Sequence, residues 1–117
     1  MGHVRVNVRI GNVDLSKVVE VKALIDIGAA LTAILRSLAN ELGLSITGKS
    51  RAETDADVIE LERSRAWVEI ESRGEVVPVL ISDVIDKVLI GVTTLEVLEL
   101  EIDPLTGRLR ERTLLLY

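Results

Sequence analysis

The chain has 117 residues, enough for one domain with a real core and too few for two well-packed lobes. Its hydrophobic share of 48% includes only 2% aromatic residues and no Phe, so the core is expected to be built from Val, Leu, Ile and Ala. A formal net charge of -5 argues against a protein that tracks a phosphate backbone, and the lack of Cys excludes disulfides and thiolate metal sites.

Apolar runs are cut by charges within about ten residues, well short of the roughly 20 a membrane helix needs. Neither nucleic acid nor membrane is therefore expected as a partner, and the expected location is cytoplasmic. With a single His, a zinc site would rest almost entirely on Asp and Glu, so no metal or other cofactor is expected. His3 reads as a surface residue of the first strand.

Val4, Val6, Val8 and Ile10 alternate with Arg5, Asn7 and Arg9, the period of a half-buried strand, and Gly11-Asn12 reads as a turn. A second strand is expected over about residues 17–25. Val19, Val21, Ala23 and Ile25 share one face, and Leu24 makes the end apolar on both sides. That run stops at Asp26-Ile27-Gly28-Ala29, which places a carboxylate where burial is expected. An Asp and a Gly after a strand also suit a plain turn, so both readings stand.

Ala30 to Leu35 fits neither period, leaving strand and helix start open. Arg36 to Leu42 reads as a short helix, with Leu38 and Leu42 four apart and Gly43 as a left-handed cap before Leu44. Thr47 to Glu62 is polar until Val58, Ile59 and Leu61, and suits an exposed loop, a hairpin or a projecting arm. Its acidic run, Glu53, Asp55, Asp57, Glu60 and Glu62, reads as a solvated face that would favour basic peptides if the arm closed over a substrate.

Ala66, Val68 and Ile70 alternate with Arg65, Trp67 and Glu69, and a turn at Ser72-Arg73-Gly74-Glu75 leads into Val76 to Ile81, giving a hairpin. Trp67 is expected to cap a core edge. Pro78 lacks an N–H, so its strand should be an edge or present that position away from the ladder. Asp83 and Asp86 read as turn residues. Val88-Leu89-Ile90-Gly91 is a short strand, after which Thr93 and Glu96 have capping-box spacing and open a helix with Leu95 and Leu98 on its apolar face.

Pro104 to Gly107 is a turn, and Arg108 to Leu116 a final strand. The apolar end, Thr113 to Tyr117, suits a partner strand or subunit. An internal echo links Leu24-Ile25, Gly28, a helix and Leu42-Gly43-Leu44 to Leu89-Ile90, Gly91, a helix and Leu98-Glu99-Leu100.

On these residues the chain resembles small, single-domain retropepsin-like aspartic proteases of microbes. The resemblance rests on the apolar strand into Asp26-Ile27-Gly28-Ala29, on Thr32, on the helix ending Leu42-Gly43-Leu44, and on the polar arm at the flap position. It also rests on Val88 to Leu95 and on Asp103 to Leu109, and it spans residues 1–117 as one domain.

What the resemblance implies is a mostly β, closed acid-protease barrel with one or two short helices, functional as a homodimer. Each chain would give one catalytic aspartate, Asp26, and the pair would activate a water to hydrolyse a peptide or protein substrate. Gly28, Ala29, Ala30, Asp55, Ala56, Asp57, Val58 and Ile90 would contact that substrate, while Ile27, Thr32 and Gly91 would shape the site. The chain departs from the pattern at Ile27, where relatives carry a Thr or Ser that hydrogen-bonds across the dimer, and at the arm tip, where they carry Gly. The alternative reading is a catalytically impaired pseudo-protease that binds peptides or serves assembly.

Overall fold

The alternating strands and short helices of the computed structural model form, in chain order, β1 (Val4–Gly11), β2 (Val18–Ile25), β3 (Thr32–Leu35), α1 (Arg36–Leu42), β4 (Gly48–Glu53) and β5 (Val58–Ile70). They continue as β6 (Arg73–Ser82), β7 (Val88–Ile90), α2 (Val92–Val97), β8 (Leu100–Ile102) and β9 (Leu109–Glu111). The structure describes residues 4–116, so the expectations for His3 and Tyr117 lie outside it.

Six strands close on themselves in the order β1-β2-β7-β3-β6-β5, with β5 returning to β1 through the pairs Arg9 to Glu69, Ile10 to Val68 and Gly11 to Trp67. Closure removes the free edges that a small sheet would otherwise expose. The even residues of β5, Ser64, Ala66, Val68 and Ile70, point inward and are buried, whereas Arg65 is exposed. Ile10, Ile34, Ile70, Ile81 and Ile90 are all buried to 1% exposure or less and form the centre of the aliphatic core. Burying each contributes about 1.5–3 kcal/mol, which explains how a core without Phe suffices.

β5 is 13 residues long, and only its second half belongs to the barrel wall. Its first half pairs with β4 from Val58 to Arg63, giving a hairpin that projects from the closed sheet. The Thr47 to Glu62 segment is therefore the projecting arm. Arg36, at the start of α1, ties the base of this arm down: Nε and Nη2 hold the two Asp83 oxygens at 2.9 and 3.3 Å, and Nη1 donates to Glu62 of β5.

The echo is an architectural repeat. The unit β1-β2-β3-α1 recurs as β5-β6-β7-α2, and the parallel pair β2·β7 is matched by the parallel pair β6·β3. Both helices end the same way. Gly43 at φ 66° and Glu99 at φ 59° each sit between two leucines, and the Gly43 and Leu44 amides donate back to Asn40 and Ala39. In the topology β7 corresponds to β3, and counting back from the residue that opens each helix, Leu35 and Gly91, Leu89-Ile90 matches Ala33-Ile34 rather than Leu24-Ile25.

Three local expectations are corrected, and the one for Pro78 holds. The β5–β6 turn is Glu71-Ser72, both at positive φ between the paired Ile70 and Arg73, so Gly74 lies within the strand. Gly74 is required there by packing, because a Cβ would fall 2.5 Å from the Trp67 ring, which also carries the Arg9 guanidinium 5.8 Å from its centroid. The N-cap of α2 is Gly91 without a side-chain bond, so Thr93 and Glu96 form no capping box. The last strand stops at Glu111, because beyond the Arg112 amide bond to Glu99 no strand among the described residues offers a partner. Leu114, Leu115 and Leu116 are left 59, 75 and 98% exposed. Pro78 sits in an interior strand, yet the β3 ladder begins only at Val79, so β6 has one flanking strand at that residue.

Candidate active site

β2 delivers its carboxylate just past the barrel wall. The Asp26 amide donates to the Ile90 carbonyl at 2.9 Å, carrying the β2–β7 pairing one residue further, and the Asp26 carbonyl then accepts from the Ala29 amide at 3.0 Å. Asp26 Oδ1 takes the Gly28 N–H at 3.0 Å, which satisfies the plain-turn reading. Oδ2 accepts no hydrogen bond among the described residues. Asp26 is half-buried rather than enclosed, as befits a group that one side of a turn holds and the other side leaves accessible.

The loop that carries Asp26 is fixed from below by α2. The first two helical amides, Val92 and Thr93, donate to the Ala29 and Ala30 carbonyls at 2.9 and 3.0 Å, so the loop does the work the capping box was expected to do. Gly91 passes so close to Leu31 that a Cβ would meet its carbonyl carbon at 2.5 Å. The Gly91 amide donates to Thr32 Oγ1 at 3.0 Å, and that hydroxyl lies 2.6 Å from Thr94 Oγ1. Both threonines are fully buried. Thr94 was not singled out from the sequence. Its signal was a polar residue beside Leu95 on the inward face of a helix, where burial requires a partner.

Above the loop lies an open groove of about 590 Å³. Asp26, Gly28, Ala29, Ala30, Leu31 and Ala33 form one side, and Ser50 to Glu53 with Arg63 form the other beneath the β4–β5 hairpin, with Leu80 completing it. Gly28, Ala29 and Ala30 thus stand with Asp26. Asp55, Ala56, Asp57 and Val58 do not line the groove: they are the exposed hairpin tip, and β4 residues take their place. The tip needs no Gly, because Thr54 Oγ1 accepts the Asp57 amide at 3.1 Å and donates to its carbonyl at 2.9 Å, and no residue from 54 to 57 has positive φ. Ile90 is buried at 0% exposure and serves the site through its carbonyl. Ile27 points away from the core and is 68% exposed.

Two of the five carboxylates of the acidic arm face a cation, and a third accepts a backbone amide. Glu60 faces Lys49 at 3.6 Å, Glu62 is held by Arg36, and the Asp57 carboxylate accepts its neighbour's amide from Val58 at 2.7 Å. The Arg36 hydrogen bonds hold the Asp83 carboxyl below the usual carboxylate range, and Asp83 and Glu62 together hold the guanidinium above its own. Among the described residues, no three His, Cys, Asp or Glu side chains cluster as a metal ion would require, and no helix is long and apolar enough to cross a membrane.

No family model matches the sequence, and no curated protein matches it either. Solved structures do. The simian foamy virus protease is similar over 80% of this chain and 92% of its own, with 15% identity and a TM-score of 0.59. The EIAV protease, solved with an inhibitor, is similar over 83% and 88%, with 17% identity and a TM-score of 0.61. A retropepsin-like aspartic protease from Rickettsia conorii is 23% identical over 81% of this chain and 70% of its own, with a TM-score of 0.57. The chain has the retropepsin-like aspartic protease fold.

Proposed function

We propose, starting from that fold, that the chain is an aspartic endopeptidase whose active centre forms when two copies place their Asp26 carboxylates face to face. The observation that carries this reading is Asp26 itself: half-buried, on a loop held by α2, lining the groove, and with one oxygen not engaged by the turn. One copy supplies only one such carboxylate, so a dyad requires a two-fold partner. Two carboxylates at close range cannot both ionise readily, so they hold one proton between them. The ionised group takes a proton from a water while its protonated mate donates to the peptide carbonyl, and the tetrahedral intermediate forms without a covalent enzyme bond.

Exposed Ile27 beside the loop and the three exposed leucines near the C-terminus give a second copy apolar surface to cover. Ile27 also supports a second reading, a pseudo-protease. An isoleucine brings no hydroxyl to hydrogen-bond across the axis, so two loops meeting there would rely on apolar contact for their register. Incubating the protein with an unfolded protein substrate at mildly acidic pH separates the readings. Cleavage that disappears in Asp26→Asn supports the endopeptidase; cleavage that survives in Asp26→Asn overturns it; an inert wild type that gains activity in Ile27→Thr supports the pseudo-protease.

A further inference from the structure

We infer that Arg63 is a specificity residue of the groove and that it selects peptides bearing an Asp or Glu side chain near the bond that Asp26 addresses. This deepens the proposed function and rests on the same groove. Arg9, Arg36, Arg73, Arg110 and Arg112 each have a carboxylate within 4 Å. Arg5, Arg51, Arg65 and Arg108 have none among the described residues, but all four are exposed to water. Arg63 alone combines partial burial with the absence of a carboxylate within 4 Å among the described residues. Its one side-chain hydrogen bond is to a neutral group, Nη1 donating to Ser50 Oγ at 3.1 Å.

A guanidinium partly removed from water and left without an anion is electrostatically incomplete, and a planar fork of donors matches a carboxylate with two parallel bonds. Arg63 lies in the same groove as Asp26, so the missing anion is positioned to come from whatever occupies that groove. The remaining charges of the arm do not supply it. Glu62 belongs to Arg36 and Glu60 to Lys49, while Arg51 and Glu53 line the groove from water-exposed positions of β4 that alternate with half-buried Ser50 and Ala52, and Glu53 has no cationic nitrogen within 4 Å among the described residues. The wall opposite Arg63 is made of Ala29, Ala30, Leu31 and Ala33, which offers no competing carboxylate beyond Asp26. Arg63, the half-buried cation on the groove, thus sets a preference for acidic peptides, opposite to the one the arm's carboxylates would set.

The test uses full-length Asp26→Asn protein, so that recognition is read without turnover. The immobilised protein captures peptides from a randomised octapeptide pool, and the bound peptides are sequenced. Asp and Glu should be enriched at least fivefold over Asn and Gln at one position, with the enrichment lost in Arg63→Gln, partly kept in Arg63→Lys and unchanged in Arg65→Gln. Equal recovery of acidic and amide residues, no capture, or enrichment that persists in Arg63→Gln overturns the assignment. Digesting the same pool with protein that retains Asp26 reads the catalytic proposal separately: selective capture without cleavage leaves Arg63 in place and removes the endopeptidase, and cleavage without acid preference does the reverse.

Discussion

At the scale of single residues, Asp26 combines two tasks that one substitution can separate. Asn keeps an oxygen at the Oδ1 position, so the Gly28 N–H retains its acceptor and the turn persists. Asp26→Asn should leave the thermal midpoint within a few degrees of wild type while abolishing cleavage, measured by melting and by peptide hydrolysis on the same sample. The buried threonine pair behaves differently. Thr32→Val leaves the Gly91 amide buried without its acceptor, costing about 1–3 kcal/mol in urea unfolding. Thr94→Val should cost less, because the Thr32 hydroxyl keeps its bond from Gly91, and the two changes should be non-additive since the hydroxyls are in contact.

At the scale of elements, the close packing of Gly74 on Trp67 gives a compensation test. Gly74→Ala should destabilise the protein by about 1–3 kcal/mol, and much of that loss should vanish in a Trp67→Leu background, where the ring that meets the new methyl is gone. The Arg36 tie between α1, the Asp83 turn and the arm depends on pH in a definite direction. Its carboxyl is depressed in the folded protein, so the contribution is present above the unfolded carboxylate range near pH 4 and disappears as pH falls through the lower folded value. Asp83→Asn should therefore speed hydrogen exchange in the β4–β5 hairpin at pH 6, with the difference from wild type closing at strongly acidic pH. The tie stays formed across the mildly acidic range in which a carboxylate dyad holds its single proton.

Strands and helices were legible in the sequence wherever one face was apolar at a regular spacing, as in Val4 to Ile10, Arg36 to Leu42 and Ala66 to Ile70. What was not legible depended on contacts far apart in the chain. Thr93 and Glu96 have the spacing of a cap, but the Ala29 and Ala30 carbonyls reach the amides first. Gly74 looks like a turn residue until Trp67 is placed over it. Asp26, Gly28 and Ala29 were readable as a site because strand, carboxylate and glycine are adjacent. Ser50, Arg63 and Leu80 were not, because only the arm and the β3–β6 pairing bring them to that groove.

At the scale of the whole molecule, a centre built from two copies makes activity depend on association. Specific activity should fall on dilution in step with the loss of dimer seen by sedimentation, and a persistent monomer with full activity would contradict the proposal. Mixing wild type with an equal amount of Asp26→Asn should reduce the fraction of all-wild-type dimers to roughly a quarter, giving a dominant loss of cleavage. Ile27→Thr exchanges an exposed apolar side chain for a hydroxyl, so it should leave the monomer's unfolding unchanged and act on the dimer constant and on turnover.

The bonds from Val92 and Thr93 to the Ala29 and Ala30 carbonyls also make the site observable without any substrate. These two amides can exchange with solvent only when the loop bearing Asp26 lets go of the helix, so their protection is a direct gauge of how long the carboxylate is held in place. A pair of nitrogen resonances then reports on every variant above, inert ones included. A pseudo-protease and a working enzyme can be compared by the steadiness of one loop before either is offered a peptide.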